Sequence, residues 1–189
     1  MQAAILDTVT GYLARFPDEQ YRLRHLAKQL AEDQPERVFA RDNMRGHITS
    51  SVLLLNEQRT QALLIFHRAL QAWLPPGGHY EGPGGLAESA ARELAEETGL
   101  KPSGVEQLQL LDIDSHEIPA RPSRGEGTHF HHDFLYLAPS AAGGDDSLVL
   151  QLEEVSAAQW LPVGKLAGLG DRRLARVGAK LQAILADES

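Results

Sequence analysis

The sequence predicts a mixed α/β layered domain preceded by a helical segment. Apolar residues recur at helical spacing near both ends of the chain, while short Val-, Ile- and Leu-rich runs lie between them. A loop crowded with glycine and proline then leads into one short helix with an apolar and an acidic side.

Residues 3 to 32 carry the first helical pattern, with Ile5, Val9, Leu13 and Phe16, then Tyr21, Leu23, Leu26, Ala27 and Leu30. Pro17 and Asp18 mark a break and a new helix start. These helices either cap the domain's core or present a dimer surface, capping being the expected role.

From His47 the period changes. Ile48 to Leu55 and Ala62 to Phe66 read as a strand hairpin across the polar turn Asn56 to Gln61. Trp73 to Gly85 reads as a structured loop with neither helix nor regular strand. Residues 86 to 98 form the two-faced helix, with Leu86, Ala90, Ala91 and Leu94 on its apolar side and Gly99 as its stop. Strands are expected at Val105 to Ile113, Thr128 to Leu137 and Leu148 to Leu152, and a last helix from Arg172 to Ala186. Pro119 to Gly127 and Pro139 to Ser147 read as surface loops.

Composition narrows the chemistry. With 189 residues and no cysteine, the chain has no disulfides, thiolate nucleophiles or Cys-based zinc sites, so a metal must be held by oxygen or imidazole. The formal net charge of -8, without a visible Lys/Arg cluster, argues against duplex nucleic acid as a partner. No run of about 18 apolar residues suggests a membrane span, and the first 15 residues lack signal-peptide features, so a cytoplasmic location without membrane is expected.

On a helix Glu93, Glu96 and Glu97 share a region, and such crowding of like charge calls for a cation. A solvated ion-pair ladder of Glu88, Arg92 and Glu96 explains part of it. Glu93 does not fit that ladder, because none of its neighbours at three and four residues is basic. Clustered carboxylates favour Mg²⁺ or Mn²⁺, and such ions also take phosphate oxygens. Gly77 and Gly78 allow backbone to approach a metal or phosphate closely.

These residues carry a specific resemblance. Gly78 through Leu100 is similar to the Nudix box, G-x(5)-E-x(7)-R-E-U-x-E-E-x-G-U with U a bulky aliphatic residue, and Arg92 through Leu100 matches at every fixed position. The first Glu of that pattern falls on Gly84. In the family that Glu often pairs with the box arginine, so Glu88 or Glu81 is expected to pair with Arg92 instead. The hairpin and Glu153, Glu154, Val155 leading to Trp160, Leu161, Pro162 also resemble Nudix domains.

The resemblance implies a Nudix-type α/β/α sandwich with a mixed sheet, residues 46–189, after an N-terminal helical extension, residues 1–45. It implies Glu93, Glu96 and Glu97 as ligands of Mg²⁺ (or Mn²⁺), completed by the Gly77 carbonyl. Glu93 would activate water, with Arg92 and Glu97 also catalytic. A further Glu from outside the box is left open among Glu117, Glu126, Glu153 and Glu154. The implied function is hydrolysis of a diphosphate linkage in a nucleoside diphosphate joined to another moiety, a small-molecule phosphoanhydride, with a homodimer left open. The alternative is a Nudix domain that binds a nucleotide-type ligand without cleaving it. An isoprenyl diphosphate isomerase would need a catalytic cysteine.

His129, His131 and Asp133 alternate along one expected strand and share a face, like a metal triad. Structural or substrate-contact roles are preferred for them, since nothing in the sequence supplies the closure that zinc expects. Trp73 and Tyr80 flank the glycine loop, and packing is their expected role.

Overall fold

Ten consecutive residues, Gly46–Leu55, form strand β1, and every one of them is buried. A strand covered on one face alternates buried and exposed residues; continuous burial means that both faces are covered. The computed structural model, which describes residues 2–34, 36–139 and 147–187, shows what covers them.

The described elements run α1 (Gln2–Arg15), α2 (Arg24–Glu32), β1, β2 (Gln61–His67), β3 (Ala72–Leu74), β4 (Gly77–His79), α3 (Leu86–Thr98), β5 (Gln109–Ile118), β6 (His129–Pro139), β7 (Val155–Pro162) and α4 (Arg172–Asp187). The strands form one mixed seven-stranded sheet in the order β3-β2-β1-β6-β5, with β4 paired to β1 and β7 to β2. By its contacts the chain divides into two compact units, Met1–Thr49 with Ile113–Phe134, and Ser50–Asp112 with Leu135–Ser189. Strands β1, β5 and β6 carry residues of both.

In the second unit, strand alternation sorts the apolar residues into two cores. Leu53, Leu55, Leu64, Leu135 and Leu137 pack with Leu174, Val177 and Leu181 of α4. Val52, Leu54, Leu63 and Ala138 pack with Ala90 and Leu94 of α3. One helix therefore lies on each face of the sheet, the α/β/α sandwich expected, and each fully buried Leu contributes about 1.5–3 kcal/mol. Asp112 of β5, fully buried, anchors α4 by hydrogen bonds from Arg176 (2.9 Å) and Lys180 (2.7 Å).

In the first unit, α1 and α2 bury Ile5, Val9, Tyr12, Leu26 and Leu30. Arg22 donates to the Ile113 carbonyl and, at 2.9 Å, to Asp114. Gln29 donates to the Gly46 carbonyl at 2.6 Å and contacts His132 at 3.1 Å, whose other ring nitrogen meets Ser115 at 2.9 Å. Burial and four neighbouring cationic or imidazole groups push the His132 imidazole down to about 3, so this ring is a neutral part of the core.

Three expectations change. Val105–Gln107 is a 3₁₀ turn, and the strand expected from Val105 starts at Gln109. The glycine loop contains two short strands, β3 and β4, because the sheet supplies hydrogen-bond partners that local propensity does not anticipate. Leu148 to Leu152 is no strand. Its amides are committed elsewhere, Val149 N–H donating to the Thr98 carbonyl at 2.9 Å and Gln151 N–H to the Glu97 carbonyl at 3.2 Å, which satisfies the open end of α3. The following segment supplies the strand instead, β7, in antiparallel register with β2 through Leu63↔Trp160 and Ile65↔Ala158. Most of the expected Pro139 to Ser147 loop lies outside the described residues.

Candidate active site

The two ends of α3 are set by backbone conformation. Gly85 begins it in extended conformation, and Glu88 accepts the Gly85 N–H at 2.9 Å, half of a capping box. Gly99 ends it in the left-handed conformation at φ 76°, where only glycine sits without strain. Between them Leu86, Ala90 and Leu94 turn inward, and Glu97, one turn after Leu94, follows them into the buried side.

Burial separates the three box glutamates. The Glu96 side chain is 52% exposed, Glu93 15%, and Glu97 as a residue only 1%. Arg92 bridges the first two, donating to Glu96 at 2.7 Å and to Glu93 at 2.8 Å, with a longer 3.5 Å contact to the His79 carbonyl. The cation that Glu93 lacks at helical spacing is thus its own chain neighbour. Neither Glu88 nor Glu81 pairs with Arg92, because Glu88 is committed to the helix cap and Arg92 is already shared by two carboxylates.

Glu97 takes a different partner, accepting the Gly77 N–H at 2.9 Å. That hydrogen bond favours its anion, yet burial, together with Glu93, Glu154 and Glu96, pushes the Glu97 carboxyl up to about 8. Burial likewise raises the Glu93 carboxyl, outweighing Arg92 beside it, with Glu96 and Glu81 adding repulsion. Five carboxylates, Glu81, Glu93, Glu96, Glu97 and Glu154, therefore act on one another around the Arg92 guanidinium. A divalent cation bound by oxygen would relieve that imbalance, so the donor set fits a hard ion.

The loop glycines make the approach possible. A Cβ on Gly78 would lie 2.6–2.7 Å from the Glu93 carboxylate, and one on Gly77 would lie 2.4 Å from Ser51 Cβ and 2.6 Å from the Ser50 carbonyl. Only backbone without a side chain fits between β1 and α3 here. Of the glutamates outside the box, Glu154 acts on Glu97 through its charge. Glu126 lies 3.9 Å from Arg41, and Glu117 acts on His25.

Trp73 packs edge-on against Phe66 at 5.4 Å, and the Tyr80 hydroxyl donates to the Gly84 carbonyl at 2.7 Å, so both hold the loop's own structure. In the first unit, Asp133 accepts the Thr49 hydroxyl at 2.9 Å, while His129 and His131 approach each other at 3.3 Å.

Over most of its length the chain resembles known proteins. The family model of the NUDIX domain matches residues 45–181. The chain belongs to the NUDIX family. Its NUDIX domain is 36% identical over 118 residues to m7GpppN-mRNA hydrolase NUDT17 of Xenopus laevis, 60% of this chain and 38% of that protein. It is 31% identical to a probable DHNTP pyrophosphohydrolase of Lactococcus lactis, covering 58% of this chain and 63% of the relative. The matches thus span less than two thirds of either relative's length. Among solved structures, the NUDIX domain of Shewanella oneidensis NrtR, complexed with ADP ribose, superposes with a TM-score of 0.54 at 18% identity, covering 84% of this chain and 97% of that one. That likeness establishes the shared fold.

Proposed function

We propose that this chain hydrolyses a diphosphate linkage in a nucleoside diphosphate joined to another moiety, using Mg²⁺ or Mn²⁺ held by Glu93, Glu96 and Glu97 with the Gly77 carbonyl. The observation that carries the reading is Glu97: a buried carboxylate, held by a glycine amide, crowded by other carboxylates and attached to a complete Arg92-to-Leu100 half-box. The names of its relatives, a hydrolase and a pyrophosphohydrolase, support the same class. The start of the family match at residue 45 supports dividing the chain into an extension, residues 1–45, and a hydrolase domain, residues 46–189.

In this reading each residue has a separate task. Divalent ions, when bound, neutralise the diphosphate and lower the pKa of water. Glu93, partly exposed and kept basic by its raised carboxyl, accepts the proton of the attacking water. Arg92 orients Glu93 and Glu96 by donating to both. Glu97 fixes the glycine loop against α3 while offering its second oxygen to a cation. Glu154 is the added acidic group from outside the box.

The test is turnover of dinucleotides, nucleotide sugars, nucleoside triphosphates and coenzymes with Mg²⁺ or Mn²⁺ supplied. Glu93→Gln and Glu97→Gln are expected to lose orders of magnitude in kcat while retaining the fold. Unchanged turnover in both overturns the assignment. Gly84 favours one second reading, a binding module; saturable, metal-dependent nucleotide binding without cleavage over long incubation would establish that instead.

A further inference from the structure

A cavity of about 140 Å³ lies in the first unit, lined by His25, Lys28 and Gln29 of α2 together with Arg45 and Phe130. Residues 25, 28 and 29 stand three and four apart on the helix, so about one turn supplies an imidazole, an ammonium and an amide to one side. Gly46 allows close packing on that turn, since a Cβ there would lie 2.8 Å from Gln29 Oε1 and 3.0 Å from Phe130 Cβ. The His25 and Phe130 rings stack with centroids 4.1 Å apart and give the cavity an aromatic wall.

The charge of this lining has one sign. Lys28 and Arg45 are cationic, and no carboxylate lines the cavity among the described residues. Arg45 is held by Glu32 at 2.6 Å and by Asp33 at 2.7 Å, which offset its charge. Lys28 has no ion pair among the described residues, so its ammonium is the uncompensated charge. Burial, Arg24 and Lys28 together lower the His25 imidazole, outweighing Glu117, so the local field disfavours another cation and favours an anion.

Gln29 adds a buried donor. It is 1% exposed and its amide is fixed at both ends, Nε2 donating to the Gly46 carbonyl at 2.6 Å and Oε1 accepting from His132 Nε2 at 3.1 Å. An amide nitrogen carries two protons. The second meets no acceptor among the described residues, on a side chain that lines the cavity.

We propose that this cavity binds one phosphate-type oxyanion, held by the Lys28 ammonium and the second Gln29 amide proton. Its volume is several times the roughly 30 Å³ that a water molecule takes in the liquid, and below the roughly 300 Å³ at which pockets begin to enclose drug-sized ligands. A single tetrahedral oxyanion fits inside, and a whole nucleotide does not. Lysine holds phosphate as a point charge, and the amide fixes one oxygen by a directed bond. Unlike the acidic box, this site takes the anion directly, without a metal ion.

The experiment uses the full chain stripped of divalent ions by a chelating resin, so that phosphate meets no metal at the acidic box. Inorganic phosphate, and separately ribose 5-phosphate, is titrated at constant pH and ionic strength while the side-chain resonances of His25 and Gln29 are followed by NMR. Both are expected to move along one saturating curve, half-saturated in the low-millimolar range or below. Lys28→Gln, at an exposed helix position, is expected to weaken binding at least about tenfold, the worth of one charge-assisted hydrogen bond. Lys165→Gln, which removes the same charge outside the cavity, is expected to leave it unchanged. Saturation by inorganic phosphate assigns the free ion, and saturation by ribose 5-phosphate alone assigns a phosphomonoester. Wild-type shifts that stay linear with both compounds mean an adventitious ion only and overturn the proposal, whether or not the variant folds. A Lys28→Gln with wild-type affinity, or an equal loss in the two variants, also overturns it.

Discussion

The Glu97 carboxylate accepts the Gly77 amide at 2.9 Å, so the C-terminal part of the box helix and the glycine loop are locked together by one part-buried hydrogen bond. Because that carboxyl is crowded by Glu93, Glu154 and Glu96, its charge is tolerated poorly until a cation arrives. Divalent ion should therefore raise the thermal midpoint of the wild type in proportion to the logarithm of its concentration. Glu97→Gln keeps the amide's acceptor and removes the charge. Its midpoint in chelator should equal or exceed that of wild type, and Mg²⁺ should raise it far less. A scanning-fluorimetry series with and without Mg²⁺ checks this, and an equal Mg²⁺ response in the two proteins would count against Glu97 as a ligand.

Arg92 holds two carboxylates at once, and lysine offers only a point charge with no planar fork. Arg92→Lys should lower kcat/KM by about 10–100-fold, the usual effect of disturbing groups that orient metal ligands. Steady-state kinetics with melting curves distinguish this from unfolding, since the partly exposed pair adds little to stability.

Gly77 and Gly78 should respond differently to alanine. The methyl on Gly77 meets Ser51 Cβ at 2.4 Å and the Ser50 backbone at 2.6 Å, neither of which can move freely. Gly77→Ala should cost about 1–3 kcal/mol in urea unfolding. On Gly78 the methyl meets only the end of the Glu93 side chain, which can swing away. Gly78→Ala should keep its stability and lose turnover, and normal turnover in it would show that Glu93 need not stand where it does.

Gly84→Glu restores the missing box residue, but its Cβ would lie 3.2 Å from Glu88 Cβ, beside a carboxylate already capping the helix. Arg92 has two carboxylate partners without it. Turnover should change by less than about tenfold, a difference of about 1.4 kcal/mol in barrier. A gain of several orders of magnitude would mean that Glu93 and Glu96 do not replace the missing residue.

Asp112 predicts the acid limb of stability. Burial would raise its carboxyl, but hydrogen bonds and charge from Arg176, with Arg173 and Lys180, hold it below the ordinary value of 3.8. A depressed folded value means the unfolded state binds the proton more readily. The contribution of this network is thus fully present above about pH 4, where the unfolded carboxyl is ionised, and is lost as pH falls below that through the lower folded value. Asp112→Asn should flatten this limb and cost about 3–5 kcal/mol at neutral pH, because three cationic side chains lose a buried partner. Urea unfolding across acid pH measures both effects.

The layered α/β class, the hairpin and the limits of α3 at Leu86 and Thr98 were legible in the sequence, because each follows from local periodicity and from glycine at Gly99. The box spacing likewise identified Arg92, Glu93, Glu96 and Glu97 as a group before any contact was known. Their partners were not legible. Burial of Glu97, the double engagement of Arg92 and the charge of Glu154 at Glu97 depend on which loop packs on which helix, and sequence spacing carries no such distance. Leu148 to Leu152 looked like a strand because alternation does not say where backbone amides go, and α3 took them. His47 is 82 residues from His129 in the chain and 4.9 Å from it ring to ring. Local pattern determines what each segment can become; only strand pairing across the sheet decided which side chains meet.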